Sequence, residues 1–342
     1  MAHLLLQDRK KLIELMKAPG SGPALEIIQA ADQVRAASVG DEVHLRGLIE
    51  FSNYCRNNCL YCGLRRDNRK LARYRLSPEE IIGAAKFGAT LGYQTIVLQS
   101  GEDPAYSTGL MAEIIQEIKK LNLVVTLSLG ERSPEEYRLW RLAGAERYLM
   151  RHETAGPILY QRLHPGQSFE QRISLLKALK ELDYQVGAGF MTGLPGQTPE
   201  TLVADLKLLW ELQPEMVGIG PFIPHPDTPL GNSPGGTLQL TLLMVALARL
   251  ILPKALIPAT TALGSIHPLG REAALQAGAN VLMPNLTPTH YRAKYEIYPN
   301  KICLTEAAGD CRNCTTQRVK SLGRKIAAHP GHQLDWLRRR PT

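Results

Sequence analysis

The strongest constraint on the fold is a βα unit that recurs about every 30 residues, the period of a parallel barrel or a doubly wound sheet. Eight apolar, β-rich runs carry it: Val43–Phe51, Thr95–Leu98, Val124–Leu129, Arg147–Met150, Gln185–Met191, Met216–Ile219, Leu256–Thr260 and Ala279–Met283. Helical patterns separate them, and three open alike, at Ser77-Pro-Glu-Glu, Ser133-Pro-Glu-Glu and Thr198-Pro-Glu-Thr. In each, a hydroxyl can accept from free backbone N–H groups, Pro sits where no helical bond is lost, and early acids favour the positive helix end. Leu202, Leu206 and Leu209 mark the buried stripe of a helix lying on a sheet. Eight units predict an α/β fold, a closed (β/α)8 TIM-type barrel. Six strands in a doubly wound sheet is the competing count.

With 342 residues and 44% hydrophobic composition, the chain can close one large core. Residues 1–40 read as an N-terminal helical segment and 41–290 as the barrel. In 291–342, a C-terminal extension, the βα rhythm stops. A Pro/Gly-rich stretch over 222–240 is too long for a simple connection and reads as functional. The longest apolar run, Leu242 to Leu252, is interrupted by Arg249, so no membrane span is expected. The opening Met-Ala-His-Leu-Leu-Leu is too short for a signal peptide and Gln-Asp-Arg-Lys-Lys follows, so the expected location is the cytoplasm. Net charge is 40 − 32 = +8, which suits nucleic acid, an acidic partner protein or an anionic substrate. The surplus reads as scattered over helix faces and the tail Arg338-Arg339-Arg340. No basic stripe is interleaved with aromatics, so nucleic acid is not an expected partner.

All six cysteines fall into two groups, residues 55–62 and 303–314. Two tight triads in a large chain read as metal sites rather than a disulfide framework. The first is Cys55-Arg-Asn-Asn-Cys59-Leu-Tyr-Cys62. Three close thiolates suit a soft metal or an iron–sulfur cluster. A four-iron cluster usually takes four cysteines, so three leave one iron open to a ligand that is not protein. An open iron on a one-electron donor is what reductive cleavage of S-adenosylmethionine requires, with the methionyl amine and carboxylate chelating that iron. Tyr61 can lie against the adenine. The alternatives are a structural zinc site, which prefers four closed ligands, and a coincidence of buried thiols. Cys303, Cys311 and Cys314 form a C-x7-C-x2-C triad, read as a second iron–sulfur site, with zinc or an unoccupied triad as alternatives.

Unusual residues follow nearly every predicted strand: Gln99-Ser-Gly-Glu-Asp103, Ser128-Leu-Gly-Glu131, Arg151-His-Glu-Thr154, Thr192-Gly-Leu-Pro-Gly196, Gly220-Pro-Phe-Ile-Pro-His225, Thr260-Thr-Ala-Leu-Gly264 and Met283-Pro-Asn285. In a barrel these positions converge on the C-terminal mouth, where barrel enzymes place their chemistry. Gln99, Ser100, Gly101 and Glu102 suit a chain turning close to a cofactor, although such a turn is also ordinary. Glu153 can accept from ribose hydroxyls, and Arg172 can pair with a methionyl carboxylate. Each has a purely structural alternative. Thr126, Ser128, Thr260 and Thr261, with Arg147 and Tyr295, read as a polar lining for an anionic substrate, against plain β-propensity of Thr. His152, His225, His267 and His290 read as structural hydrogen-bonders.

The blocks Phe51-Ser-Asn-Tyr-Cys55 through Asn68, Leu98 to Asp103, Arg151 to Thr154, Gly193-Leu-Pro-Gly-Gln197 and Gly218 to Thr228 together closely resemble the HydE family. These are the radical S-adenosylmethionine maturases of FeFe-hydrogenase, within the biotin synthase-like superfamily. The likeness runs from about residue 40 to 315. It implies a full barrel with a 4Fe-4S cluster at its mouth held by Cys55, Cys59 and Cys62. It further implies S-adenosylmethionine contacts at Ser100 to Glu102, Glu153, Arg172 and Met216. The hydroxyls above, with Arg147, Met283 and Tyr295, match an internal substrate cavity. The implied substrate is a cysteine-ligated iron carbonyl cyanide complex made by the sister maturase HydG, attacked at the cysteine sulfur by a 5′-deoxyadenosyl radical. Implied partners are the scaffold GTPase HydF and a low-potential electron donor, ferredoxin or flavodoxin. The second triad matches an auxiliary 2Fe-2S site that only some members keep and that is dispensable. Competing readings are a biotin synthase-like or methylornithine synthase-like enzyme acting on an organic substrate and, outside the class, a zinc-stapled binding protein.

Overall fold

The computed structural model describes residues 6–339; the N-terminal residues before Leu6 and Arg340 of the arginine tail lie outside the described residues. Among the described residues nine strands follow in order: β1 (Glu42–Leu45), β2 (Gly47–Ser52), β3 (Thr95–Ser100), β4 (Val124–Ser128), β5 (Ala145–Leu149), β6 (Gln185–Thr192), β7 (Met216–Pro221), β8 (Val281–Leu282) and β9 (Lys325–Ile326). Strands β2 to β7 form one parallel sheet in chain order. Short crossovers with helices on the outside leave β2 and β6 wholly buried, as parallel staves must be.

The ring closes through two irregular staves. The expected strand at 256–260 survives as single bridges, Met216 to Leu256 and Pro258 to Val281, and Leu48 to Asn285 completes the circle. Pro258 has no N–H and so interrupts a regular ladder. Backbone bonds still span the gap: Leu256 N donates to Glu215 O at 2.9 Å, Val217 N to Leu256 O at 3.0 Å, and Ala259 N to Val281 O at 2.9 Å. The expected first stave, Val43–Phe51, splits at Arg46. Its first part, β1, pairs with β8 and β9 instead of joining the six-strand sheet.

The three expected helix starts are present. Ser77 and Ser133 each accept from the third residue's N–H at 3.2 Å, and the Glu there closes a capping box. Thr198 caps the helix Pro199–Leu212 in the same way through Thr201. Arg249 lies fully buried inside the helix Leu238–Ile251, its guanidinium donating to Gly278 O, Pro253 O and Asn280 Oδ1. Among the described residues no helix is long and apolar enough to cross a membrane.

After residue 291 the chain runs through the helix Ala308–Ser321, pairs β9 beside β1, and packs across the N-terminal end of the barrel. There Arg147, fully buried, donates to Thr95 Oγ1 at 3.0 Å and to the carbonyls of Pro330 and Gly331, both at 2.9 Å. The tail plugs the floor, and the mouth stays open.

Candidate active site

The cysteine loop leaves the mouth directly after β2. Arg73 staples it by donating to the carbonyls of Asn53, Leu64 (2.9 Å), Arg65 (2.7 Å) and Asn68 (3.1 Å). Asn53 Nδ2 donates to Ala72 O and Lys294 O, tying the loop to the tail. All three thiols are half-buried. Glu102 N donates to Cys55 Sγ at 3.4 Å, and Gln167 Nε2 to Cys59 Sγ at 3.6 Å. Gly101 is required where the loop meets β3, because a Cβ there would lie 2.2 Å from Tyr54 O and 2.8 Å from Cys55 Cβ.

Burial pushes all three thiols up, Cys62 to about 12, with the neighbouring thiols adding to the effect at Cys59 and Cys62. In so dry a place thiolates persist only with cations among them. Among the described residues no three His, Cys, Asp or Glu side chains converge on one point, as a single metal ion requires. Three thiols on one short loop, two of them lining the mouth, instead suit a cluster whose irons each take one sulfur.

Below the loop lies a cavity of about 330 Å³ lined by Cys59, Cys62 and Tyr61 above and by residues of β2 to β7 around it. Glu153 stands on its wall in the left-handed region, φ +66°, bridged to Phe190. One carboxylate oxygen lies 3.2 Å from Arg151 Nε, and Oε2 is buried with no partner. A buried free acceptor on a strained residue is where a ligand's hydroxyls belong. The strain is held from behind. Asp205 Oδ1 accepts from Ala155 N at 2.6 Å and lies 3.2 Å from His152 Nε2, and Gly189 N donates to His152 Nδ1. That last bond places the ring proton on Nε2, so His152 donates to Asp205. Residues on both sides of Glu153 are thus anchored on one carboxylate.

Tyr61 is fixed by an analogous stack. Burial lowers His164 to about 4, so the ring is neutral, and its Nδ1 faces Tyr160 O at 2.9 Å. Nε2 therefore accepts the Tyr61 hydroxyl at 2.8 Å. Arg172 lines the cavity too, but its guanidinium already donates to Glu131 at 2.6 Å, Arg151 O and Gln167 Oε1.

The sequence-predicted residues divide clearly. Cys59, Cys62, Tyr61, Gln99, Ser100, Glu153 and Arg172 share the cavity with Ser128, Thr260, Thr261 and Met283. Cys55 and Gly101 do not line the cavity. The carboxylate of Glu102 is taken by Arg56 Nε at 3.0 Å and Glu131 N at 2.7 Å, which leaves its backbone near the mouth. Tyr295 does not line the cavity; its ring is buried and its hydroxyl accepts from Gln99 Nε2 at 3.3 Å. Arg147 is corrected to the floor, where the tail binds it. Met216 is corrected as well: it packs with Leu256 and Val281 beneath Leu149 and Met283, 3.0 Å from Arg46 Nη1. Thr126 lies on the same inward face as Ser128 but deeper, buried, with Oγ1 unpartnered.

Sequence reasoning placed Arg151 at the mouth without a role and missed Tyr298 and the pair Glu50 and Lys301; all four line the cavity. Glu50 is ion-paired to Lys301 and accepts from Asn285 Nδ2 at 2.8 Å. A carboxylate in the wholly buried β2 was the available signal. At the second triad, Cys303 and Cys311 share a hydrogen bond. That bond lowers Cys303 to about 6 and raises Cys311, while Cys314 is exposed; none of the three lines the cavity.

Comparison with known proteins gives these features a class. Residues 49–209 match the radical SAM superfamily model, so fold and site define a radical SAM enzyme. The FeFe hydrogenase maturase subunit HydE of Thermotoga maritima is 54% identical over 328 residues, covering 96% of this chain and 92% of that protein. The chain belongs to the HydE family. The crystal structure of methylornithine synthase (PylB) superposes with a TM-score of 0.82 at 28% identity, covering 97% of this chain and 96% of that one. The FeFe-hydrogenase maturase HydG from Carboxydothermus hydrogenoformans, at 23% identity and TM-score 0.69 over 83% of this chain and 70% of that one, shares the fold.

Proposed function

We propose that this hydrogenase maturase acts on a cysteine-ligated iron carbonyl cyanide complex of the kind supplied by HydG, within the cavity under the cysteine loop. The observation that carries the reading is the pairing, across one cavity, of Cys59 and Cys62 of the three-thiol loop with an unpartnered, buried Glu153 oxygen. Cys55, Cys59 and Cys62 would hold a 4Fe-4S cluster with one iron left to S-adenosylmethionine. Bound there, the two groups supply one-electron cleavage to a 5′-deoxyadenosyl radical.

The chain's own residues bind and orient. Glu153 accepts from ribose hydroxyls, and the Ser100 to Glu102 backbone approaches the methionyl end because Gly101 has no side chain. Arg172 reaches a carboxylate by sharing its donors with Glu131. Tyr61 offers its ring to the adenine while His164 holds its hydroxyl away. Ser128, Thr260 and Thr261 supply fixed dipoles for an anionic complex, and Thr260 Oγ1 is free to donate. The tail across the floor excludes water from below. The same reading treats 1–40, 41–290 and 291–342 as helical segment, barrel and extension. It assigns an auxiliary 2Fe-2S cluster to Cys303, Cys311 and Cys314, HydF as recipient and ferredoxin or flavodoxin as donor. Six free thiols suit the reducing cytoplasm.

The test is a hydrogenase maturation mixture complete except for its HydE component. Adding this protein restores hydrogenase activity together with 5′-deoxyadenosine formation. Deoxyadenosine without restored hydrogenase, alongside turnover of a purely organic substrate, would instead support the methylornithine synthase-like reading.

A further inference from the structure

Part of the positive surplus lies where the sequence reading put it, on helix faces and the arginine tail, since residues 311–342 hold eight Lys or Arg and one Asp; a second concentration surrounds the cysteine loop. Residues 54–75, which wrap the cysteine loop, hold seven Lys or Arg side chains and one Asp, a local net charge of 7 − 1 = +6. Arg56, Arg66, Arg69, Lys70 and Arg75 are exposed. Four carboxylates meet this surface: Glu102 at Arg56 (3.0 Å), Asp67 at Arg66 (3.1 Å), Asp227 at Lys70 (2.6 Å) and Asp103 at Arg75 (2.6 Å). Two of them, Glu102 and Asp103, are buried. Five exposed cations over four carboxylates, two of them buried, leave solvent facing a positive surface. It is also stiff, since Arg73 staples four carbonyls beneath it and the Arg75 guanidinium lies 3.7 Å over the Tyr54 ring.

Position gives the charge its meaning. The same 22 residues contain the three half-buried thiols, two of which, Cys59 and Cys62, line the cavity. An electron delivered from another protein reaches the thiol-bound cluster most directly through this face. We propose that the exposed face of residues 54–75 is the docking surface for an acidic one-electron carrier protein. The inference rests on the radical-cleavage reading above. The carrier loses one electron, the cluster held by the cysteines gains it, and no atom is transferred. Exposed ion pairs are individually weak, so Arg66 and Lys70 can exchange their present partners for carboxylates of the carrier. Complementary charge raises the encounter rate and makes it fall with salt.

The test compares reduced flavodoxin with dithionite as electron source for 5′-deoxyadenosine formation by the reconstituted protein. Arg66→Glu/Arg69→Glu/Lys70→Glu should slow the flavodoxin-driven rate at least about 10-fold at low ionic strength and flatten its salt dependence. The dithionite-driven rate should stay unchanged. Lys86→Glu/Lys177→Glu/Lys207→Glu, exposed lysines with the same total charge change, should behave as wild type. A second readout needs no cluster: the affinity of oxidised flavodoxin for the cluster-free protein should drop about 10-fold in the first variant only. Equal flavodoxin rates and affinities in the first variant and wild type, or equal losses in both variants, would overturn the proposal. No deoxyadenosine from wild type with dithionite would overturn the radical-cleavage reading instead.

Discussion

Replacing Asp205 with Ala removes the anchor beneath Glu153 and should uncouple cofactor binding from the fold. Asp205 is fully buried on the helix Pro199–Leu212, and burial raises its carboxyl while His152 works the other way. Truncation leaves the Ala155 N–H and the His152 ring N–H unpaired in the interior, at about 1–3 kcal/mol each. A cost of about 4 kcal/mol is a large part of a stability of about 5–15 kcal/mol, and should lower Tm by several degrees. The backbone at Glu153 stores about 1–3 kcal/mol of its own in the left-handed region. Without the clamp that strain relaxes, Oε2 turns from the cavity, and S-adenosylmethionine affinity should fall about 10-fold or more, read by calorimetric titration of the reconstituted protein. Asp205→Asn keeps an acceptor at Oδ1 and should recover most of both losses. Glu153→Gln should weaken cofactor binding with little change in Tm. If Asp205→Ala melts earlier yet binds S-adenosylmethionine within about twofold of wild type, the clamp does not set the pose of Glu153 and the reasoning fails.

Three further outcomes follow from the geometry. Cys59→Ala should abolish 5′-deoxyadenosine formation while Cys311→Ala leaves it nearly intact; equal loss in both would show the two triads wrongly ranked. Gly101→Ala places a Cβ 2.2 Å from Tyr54 O, so the cysteine loop must shift, and iron content after reconstitution should fall below half of wild type. Burial, with Arg46 and His329 adding to it, holds His44 down to about 3, so the unfolded chain takes up that proton first as pH falls. Its stabilising contribution is therefore complete above about pH 6.5 and declines toward pH 3, a loss of about 2 kcal/mol by pH 5. Melting of cluster-free protein between pH 7 and 5 should show this slope, and His44→Asn should flatten it; parallel slopes would refute the assignment.

Local chemistry is legible in the amino-acid sequence. Capping hydroxyls, the Pro and acids that follow them, and the βα rhythm act over a few residues, so the barrel and its helix starts can be read directly. The cysteine loop is equally plain, because three thiols within eight positions constrain their own chemistry. Glu153 stands out from its place after a strand, but its strain and free oxygen do not.

What only the tertiary structure decided is height within the barrel and pairing across the chain. Arg147 and Met216 have the residue types of a cavity lining, yet strand register places Arg147 at the floor and Met216 beneath the cavity, each with its own partner. A strand advances only about 3.3 Å per residue, so an end misplaced by two positions moves a side chain out of reach of the mouth. The Glu50–Lys301 pair, 251 residues apart, and the Asp205 anchor, 53 residues from His152, leave no local trace. Sequence determined the staves, the caps and the cysteine loop through short-range sterics and hydrogen bonding. Closure of the ring through Pro258, the plugged floor and the posture of Glu153 came from contacts that exist only once distant segments are packed together.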